Sequence, residues 1–174
     1  MPIRDLLLPE FEQEMKNTRK ILERVPEDKL SYKPHPKSME MGRLAGHIAE
    51  LSGWATTTLT TELLELGDFK PWIPTSRAEI LKKFDESVAE ARKLLSEASD
   101  ESLEKIWTMK FNGETIMSMP RYNVLRNVVF NHIIHHRAQL GVFLRLNEVE
   151  LPGMYGPSAD EMKFWDQKSA ASKS

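Results

Sequence analysis

The sequence predicts an all-α protein, an antiparallel four-helix bundle with a small β-hairpin before the fourth long helix. Three observations carry this. Four long stretches place apolar residues at helical spacing. The links between them are short and punctuated by proline or glycine, which favours antiparallel neighbours. One alternating segment is centred on Asn112-Gly113, a strong two-residue hairpin signal.

Helix one is expected over residues 3–24, with Leu7, Phe11, Met15, Ile21 and Leu22 on one side and a stop at Val25-Pro26. Residues 26–38 hold three prolines and read as an ordered loop across the bundle end. Helix two is expected over 39–66, closed by Gly67-Asp68, with the stripe Leu44, His47, Ile48, Leu51, Trp54, Ala55 and Thr58. A link, 69–74, follows. Thr75 or Ser76 caps helix three, with Glu79 placed as the reciprocal capping glutamate. That helix runs to about 98, turning Ile80, Leu81, Phe84, Val88, Ala91 and Leu95 inward, and 100–106 supplies one further turn. The hairpin occupies 107–119. A two-stranded ribbon is marginal alone, so it must pack on the bundle. Helix four is expected over 120–147, and Ser158 caps a last short helix to 165. The domain takes in 1–166, and 167–174 is a flexible polar tail.

Composition narrows the function. A chain of 174 residues, 40% hydrophobic and 29% charged, can bury a core without staples. A net charge of −2 gives no support to nucleic-acid binding, which normally leaves a basic patch. The absence of cysteine excludes disulfides, thiolate-bound zinc and a protein thiol nucleophile, and fits a cytoplasmic location. No signal-peptide core and no apolar run near the ~20 residues of a bilayer span is evident.

The candidate chemistry lies in histidines. At about 100° per residue, Leu125, Val128, Val129, His136, Leu140 and Phe143 fall on the side of His132. His132 and His136 therefore stack one turn apart on an apolar face, where an unpartnered imidazole is costly. His47 occupies the same kind of position on helix two. Two readings stand: hydrogen-bonded core histidines, or three neutral imidazoles meeting to give three metal ligands and one open position, as in catalytic zinc sites. His135 is rotated off that face and lines a pocket edge or an interface. His35 lies in the proline loop near the bundle end. Glu50, Asn131, Gln139 and, more remotely, Glu14 are candidates to accept the second N–H of a ligating ring. Trp54, Trp107, Met109, Met117 and Tyr155 wall a pocket or simply fill core.

Missing pieces are informative. Ile133-Ile134 stand where a zincin carries its glutamate, so that peptidase mechanism lacks its base. The Glu-x-x-His pairs of di-iron bundles are also absent. One divalent ion on nitrogen ligands fits best: zinc by default, with nickel, cobalt or iron acceptable to imidazole.

The segments LERVPEDKLSYKPHPKS, MGRLAGHIAEL, NVVFNHIIHHRAQLGVFLR and LPGMYGPSADE, in this order and spacing, resemble the DinB/YfiT-like superfamily of bacterial helical-bundle proteins. The resemblance implies an up-down-down-up bundle, frequently a homodimer, with a divalent metal held by His47, His132 and His136 in a cleft at one end. Characterised relatives include transferases that use bacillithiol or mycothiol, and a thiol-dependent isomerase. The function expected is a metal-dependent S-transferase joining a low-molecular-weight thiol to a small electrophile beneath the 26–38 and 151–157 loops. The alternatives are a metal-dependent hydrolase, or a non-catalytic, stress-related metal-binding bundle.

Overall fold

In a computed structural model, residues 1–67 and 70–162 are described. The chain is mostly helical with a small three-stranded sheet, so the all-α expectation is corrected to that extent. Helices α1 (Ile3–Leu22), α2 (Met41–Thr60) and α3 (Arg77–Glu97) precede a short α4 (Asp100–Glu104). After the hairpin strands come α5 (Arg121–Asn123), a π-helical segment (Val124–Phe130) and α6 (Asn131–Leu146), which follow one another without a break. Helix α1 packs on α3 and α6, and α2 packs on the same two. Phe11, Leu22, Leu44, Ile48, Phe84, Leu125 and Ile133 lie within the one large core that results.

Local chemistry accounts for most boundaries. The Ser76 hydroxyl accepts the Glu79 N–H at 3.2 Å, as an N-cap should. The Glu79 carboxylate, however, returns to the Thr75 N–H and hydroxyl, both at 2.9 Å, rather than to the cap itself. Ser99 caps α4 in the expected further turn. Ser158 and Glu161 exchange N–H bonds at 3.2 Å and open a helical turn over 159–162. The remainder of that expected helix, 163–165, and the expected tail, 167–174, lie outside the described residues.

Helix two ends earlier than its periodicity suggests. Thr56, Thr57, Thr58, Thr60 and Thr61 crowd its end with β-branched side chains, which are weak helix formers. Four of their hydroxyls turn back onto carbonyls four residues earlier. The chain leaves the helix and forms β1 (Leu63–Glu65), parallel to β2 (Ile106–Phe111). The hairpin is thus the antiparallel half of a larger sheet, with β2 also paired to β3 (Glu114–Pro120). Asn112 (φ 48°) and Gly113 (φ 81°) both take left-handed backbone, the requirement of a type I′ turn. The Glu65 carboxylate accepts the N–H groups of Asn112 at 2.9 Å and Gly113 at 3.1 Å, clasping the turn to the third strand. Under the sheet a second core gathers Trp107, Met109 and Val124.

Candidate metal centre

The π-helical segment controls which residues of the last helix face inward. A π turn inserts one extra residue into the helical repeat, and so turns everything after it by about one position. The face begun by Leu125 and Val129 continues through Ile133, Leu140 and Leu144, each fully buried, with Arg137 only 3% exposed. A regular helix would have placed His132 and His136 at the middle of that face. Instead His132 is half-buried at its margin, and the expected inward Phe143 is half-buried too. The shift matters chemically: His47 and His132 sit where core meets solvent, while His136, 8% exposed, is buried as its place on the helical face predicts.

Helix α2 brings His47 to the same margin. Its Nε2 lies 3.4 Å from Nε2 of His132, which lies 2.9 Å from Nε2 of His136. One candidate ligand nitrogen from each ring falls within 4.8 Å of the other two. Tetrahedral zinc at its usual ~2.0–2.1 Å bond to imidazole holds its nitrogens about 3.3 Å apart. The His47–His132 and His132–His136 separations bracket that spacing, and the third pair lies within 4.8 Å. Among the described residues the cluster contains these three histidines and no carboxylate.

The protons argue the same way. His136 Nδ1 donates to Gln139 Oε1 at 2.7 Å, which leaves the Nε2 of the neutral ring as a lone pair. His132 Nε2 can give its single proton toward His136 or His47. His47 then keeps Nδ1, a buried atom with no hydrogen-bond partner among the described residues. Three converging ring nitrogens cannot all be satisfied by the protons available, whereas one cation accepts all three lone pairs. The donor set therefore fits a divalent metal of the zinc, nickel or cobalt type.

Electrostatics keep the rings neutral. Burial, then the His136 and His132 rings and Arg43, push His47 down to about 3. Burial, then His136 and His135, push His132 down to about 4. Burial lowers His136 as well, against the opposing bond to Gln139. At neutral pH the ligand lone pairs are free.

Two openings flank the triad. A cleft of ≈ 420 Å³ is lined by Lys37, Ser38, Met39, Leu44, His136, Gln139, Val142 and Phe143. A shallower depression touches Asn127, Val128, Asn131, His132 and His135. The 26–38 loop thus reaches the site through Lys37 and Ser38. The 151–157 loop does not. It roofs a separate, more apolar cavity of ≈ 460 Å³ against Ile21, Ile134, Arg137 and Gly141, with no histidine in its wall.

The remaining expected residues divide cleanly. Gln139 is the partner of His136. Glu50 accepts from Arg43 at 2.9 Å and from the Trp72 N–H at 3.3 Å. The Asn131 amide oxygen accepts from Arg126, on the exposed side. Glu14 pairs with Arg137 at 2.7 Å and accepts from the Tyr155 hydroxyl at 2.7 Å, so it serves no imidazole. His135 is exposed, with its ring 4.9 Å from that of His136. His35 is exposed and accepts the Lys37 N–H at 3.2 Å. Trp54 meets the edge of His132 at 6.3 Å. Trp107 and Met109 are core, and Met117 packs beside them.

Helical spacing alone assigns no role to two charged residues near the centre. Arg43 stands one turn before His47, and its only sequence signal is that spacing. Arg137 enters the core beside His136, where a regular helical wheel had put it off the buried face.

Comparison with known proteins agrees with this architecture. The chain is 27% identical over 158 residues to YrdA, an uncharacterised protein of Bacillus subtilis strain 168, covering 90% of each sequence. The crystal structure of a DinB-like protein from Bacillus cereus superposes with a TM-score of 0.70 at 27% identity, over 86% of this chain and 95% of that one. The DinB-like protein YjoA of Bacillus subtilis gives 0.65 at 18% identity, over 86% and 96%, a likeness of fold. The family model for DinB matches residues 1–170, and the chain belongs to the DinB family.

Proposed function

We propose that the protein is a divalent-metal-dependent enzyme whose ion is held by His47, His132 and His136, and that it transfers a low-molecular-weight thiol to a small electrophile. The observation that carries the reading is the convergence of three neutral ring nitrogens beside an open cleft, with no fourth protein ligand in the described cluster. A divalent cation there would supply Lewis acidity, lowering the pKa of a thiol or water in the remaining coordination position so that its conjugate base exists at neutral pH.

The chain's own residues would do the rest. Gln139 fixes the tautomer of His136 and keeps its Nε2 lone pair directed at the centre. Met39, Leu44, Val142 and Phe143 offer an apolar wall for the electrophile, and Lys37 supplies one cation at the cleft. No protein group in the cleft is a thiol, since the chain has no cysteine, so a transferred sulfur must come from a cosubstrate.

The test is metal content of protein purified without a His-tag, followed by thiol conjugation with a panel of electrophiles and, in parallel, ester and amide hydrolysis. Conjugation that needs both metal and thiol supports the transferase. Thiol-independent turnover would replace it with the hydrolase. Metal binding with neither activity would leave a non-catalytic metal protein.

A further inference from the structure

On α2, Arg43, His47 and Glu50 occupy one face, four and three residues apart. The ion pair from Arg43 Nη1 to Glu50 Oε2, 2.9 Å long, spans the turns that carry His47. Both side chains are largely shielded, at 16% and 13% exposed. Glu50 Oε1 also receives the Trp72 N–H at 3.3 Å. Those bonds use two of the roughly four acceptor directions of a carboxylate. Meanwhile His47 Nδ1 is buried without a partner among the described residues.

His136 supplies the comparison. Its Nδ1 meets the side chain three residues further along, Gln139, at 2.7 Å. Glu50 stands at the same three-residue offset from His47. A ring that commits Nε2 to a cation must carry its proton on Nδ1, and a buried N–H needs an acceptor. Glu50 is the anionic side chain on that face with capacity to spare, and its charge would also offset the repulsion between Arg43 and the ion.

We propose that Glu50 is the positioning residue of His47, its carboxylate accepting the Nδ1–H once Nε2 holds a cation, with Arg43 keeping that carboxylate in place beforehand. The proposal rests on the metal reading above, and its test separates the two. Zinc affinity is measured by competition with a chromophoric chelator, and the cobalt-loaded visible spectrum is recorded, for wild type, Glu50→Ala and Glu50→Gln. Glu50→Ala is expected to weaken zinc binding about 10- to 100-fold and to alter the cobalt spectrum. Glu50→Gln is expected to recover most of the loss, because an amide oxygen accepts as Gln139 does.

Equal losses in both variants would mean that only charge matters, and would overturn the proposal. So would wild-type affinity in Glu50→Ala. Should Glu50→Ala fail to fold, the Nδ1–H of His47 in the zinc-loaded wild type can be followed by nitrogen-edited NMR: a slowly exchanging proton supports the bond, and rapid exchange with solvent overturns it. A wild type that binds no zinc removes the metal reading, and this inference with it.

Discussion

His136 donates its Nδ1–H to Gln139 Oε1 across less than one helical turn, at 2.7 Å, and that bond decides which nitrogen faces the cleft. Gln139 is exposed, so replacing it should leave the core intact. Gln139→Leu is expected to weaken metal binding about 10-fold or more, the usual cost of losing such a partner. Gln139→Glu should retain binding, since a carboxylate accepts the same proton. Chelator competition reads both, and wild-type affinity in Gln139→Leu would deny the amide any role in orienting the ring.

Metal should also stabilise the fold through mass action. A ligand that binds only the native state at 100 times its Kd adds about 2.7 kcal/mol. Thermal unfolding of wild type should therefore move up on addition of zinc or nickel. In His47→Ala and His132→Ala the metal-dependent rise is expected to vanish while the metal-free transition survives. An equal rise in all three proteins would place the cation elsewhere.

Acid sensitivity follows from the same rings. In the unfolded chain a histidine titrates near 6.5, whereas in the fold His47 is held down to about 3 and His132 to about 4. Both states are neutral above 6.5, so the folded rings carry no penalty there. As pH falls below 6.5 the unfolded chain takes up protons that the folded rings refuse, and stability is lost progressively toward pH 4 and below. For each ring the slope cannot exceed about 1.4 kcal/mol per pH unit, and solvent screening at the cleft keeps it lower. Urea unfolding of metal-free protein between pH 7 and 5 measures it. His47→Gln should flatten the slope, and an unchanged slope would mean other groups dominate.

How far these features were legible in the sequence depends on whether local spacing decides them. The triad was legible because His132 and His136 are adjacent turns of one helix whatever its exact phase, and His47 sat mid-stripe on another. The hairpin was legible because Asn112-Gly113 answers a backbone requirement that few other pairs meet. The π-helical segment was not, since nothing in Val124–Phe130 breaks helical spacing; it turns the later face so that Ile133, Arg137 and Leu144 are buried alongside the expected His136 and Leu140. That turn is what brings Arg137 into the core. Strand β1 was hidden for a different reason: Leu63-Leu64 continues the apolar pattern of α2, and only pairing with β2, more than 40 residues later, turns it into a strand. Long-range pairing overrides local pattern there.

Arg137 supplies the last prediction. It is 3% exposed and holds Glu14, itself 5% exposed, through a 2.7 Å ion pair, a bond to the Glu14 carbonyl at 3.0 Å and one to the Thr18 hydroxyl at 3.2 Å. The Tyr155 hydroxyl bonds both charged groups, so the 151–157 loop is pinned to α1 and α6 together. Removing one charge from such a pair strands the other in the core, which typically costs about 3–5 kcal/mol. Arg137→Met is expected to show that loss in urea unfolding, with Tyr155→Phe losing only about 1 kcal/mol, the worth of a hydrogen bond. In the double variant Glu14→Gln/Arg137→Met no charge is left buried, so it should be more stable than the sum of the single losses predicts. Strict additivity would mean that the two side chains act independently, and that the pin on the loop is packing rather than charge.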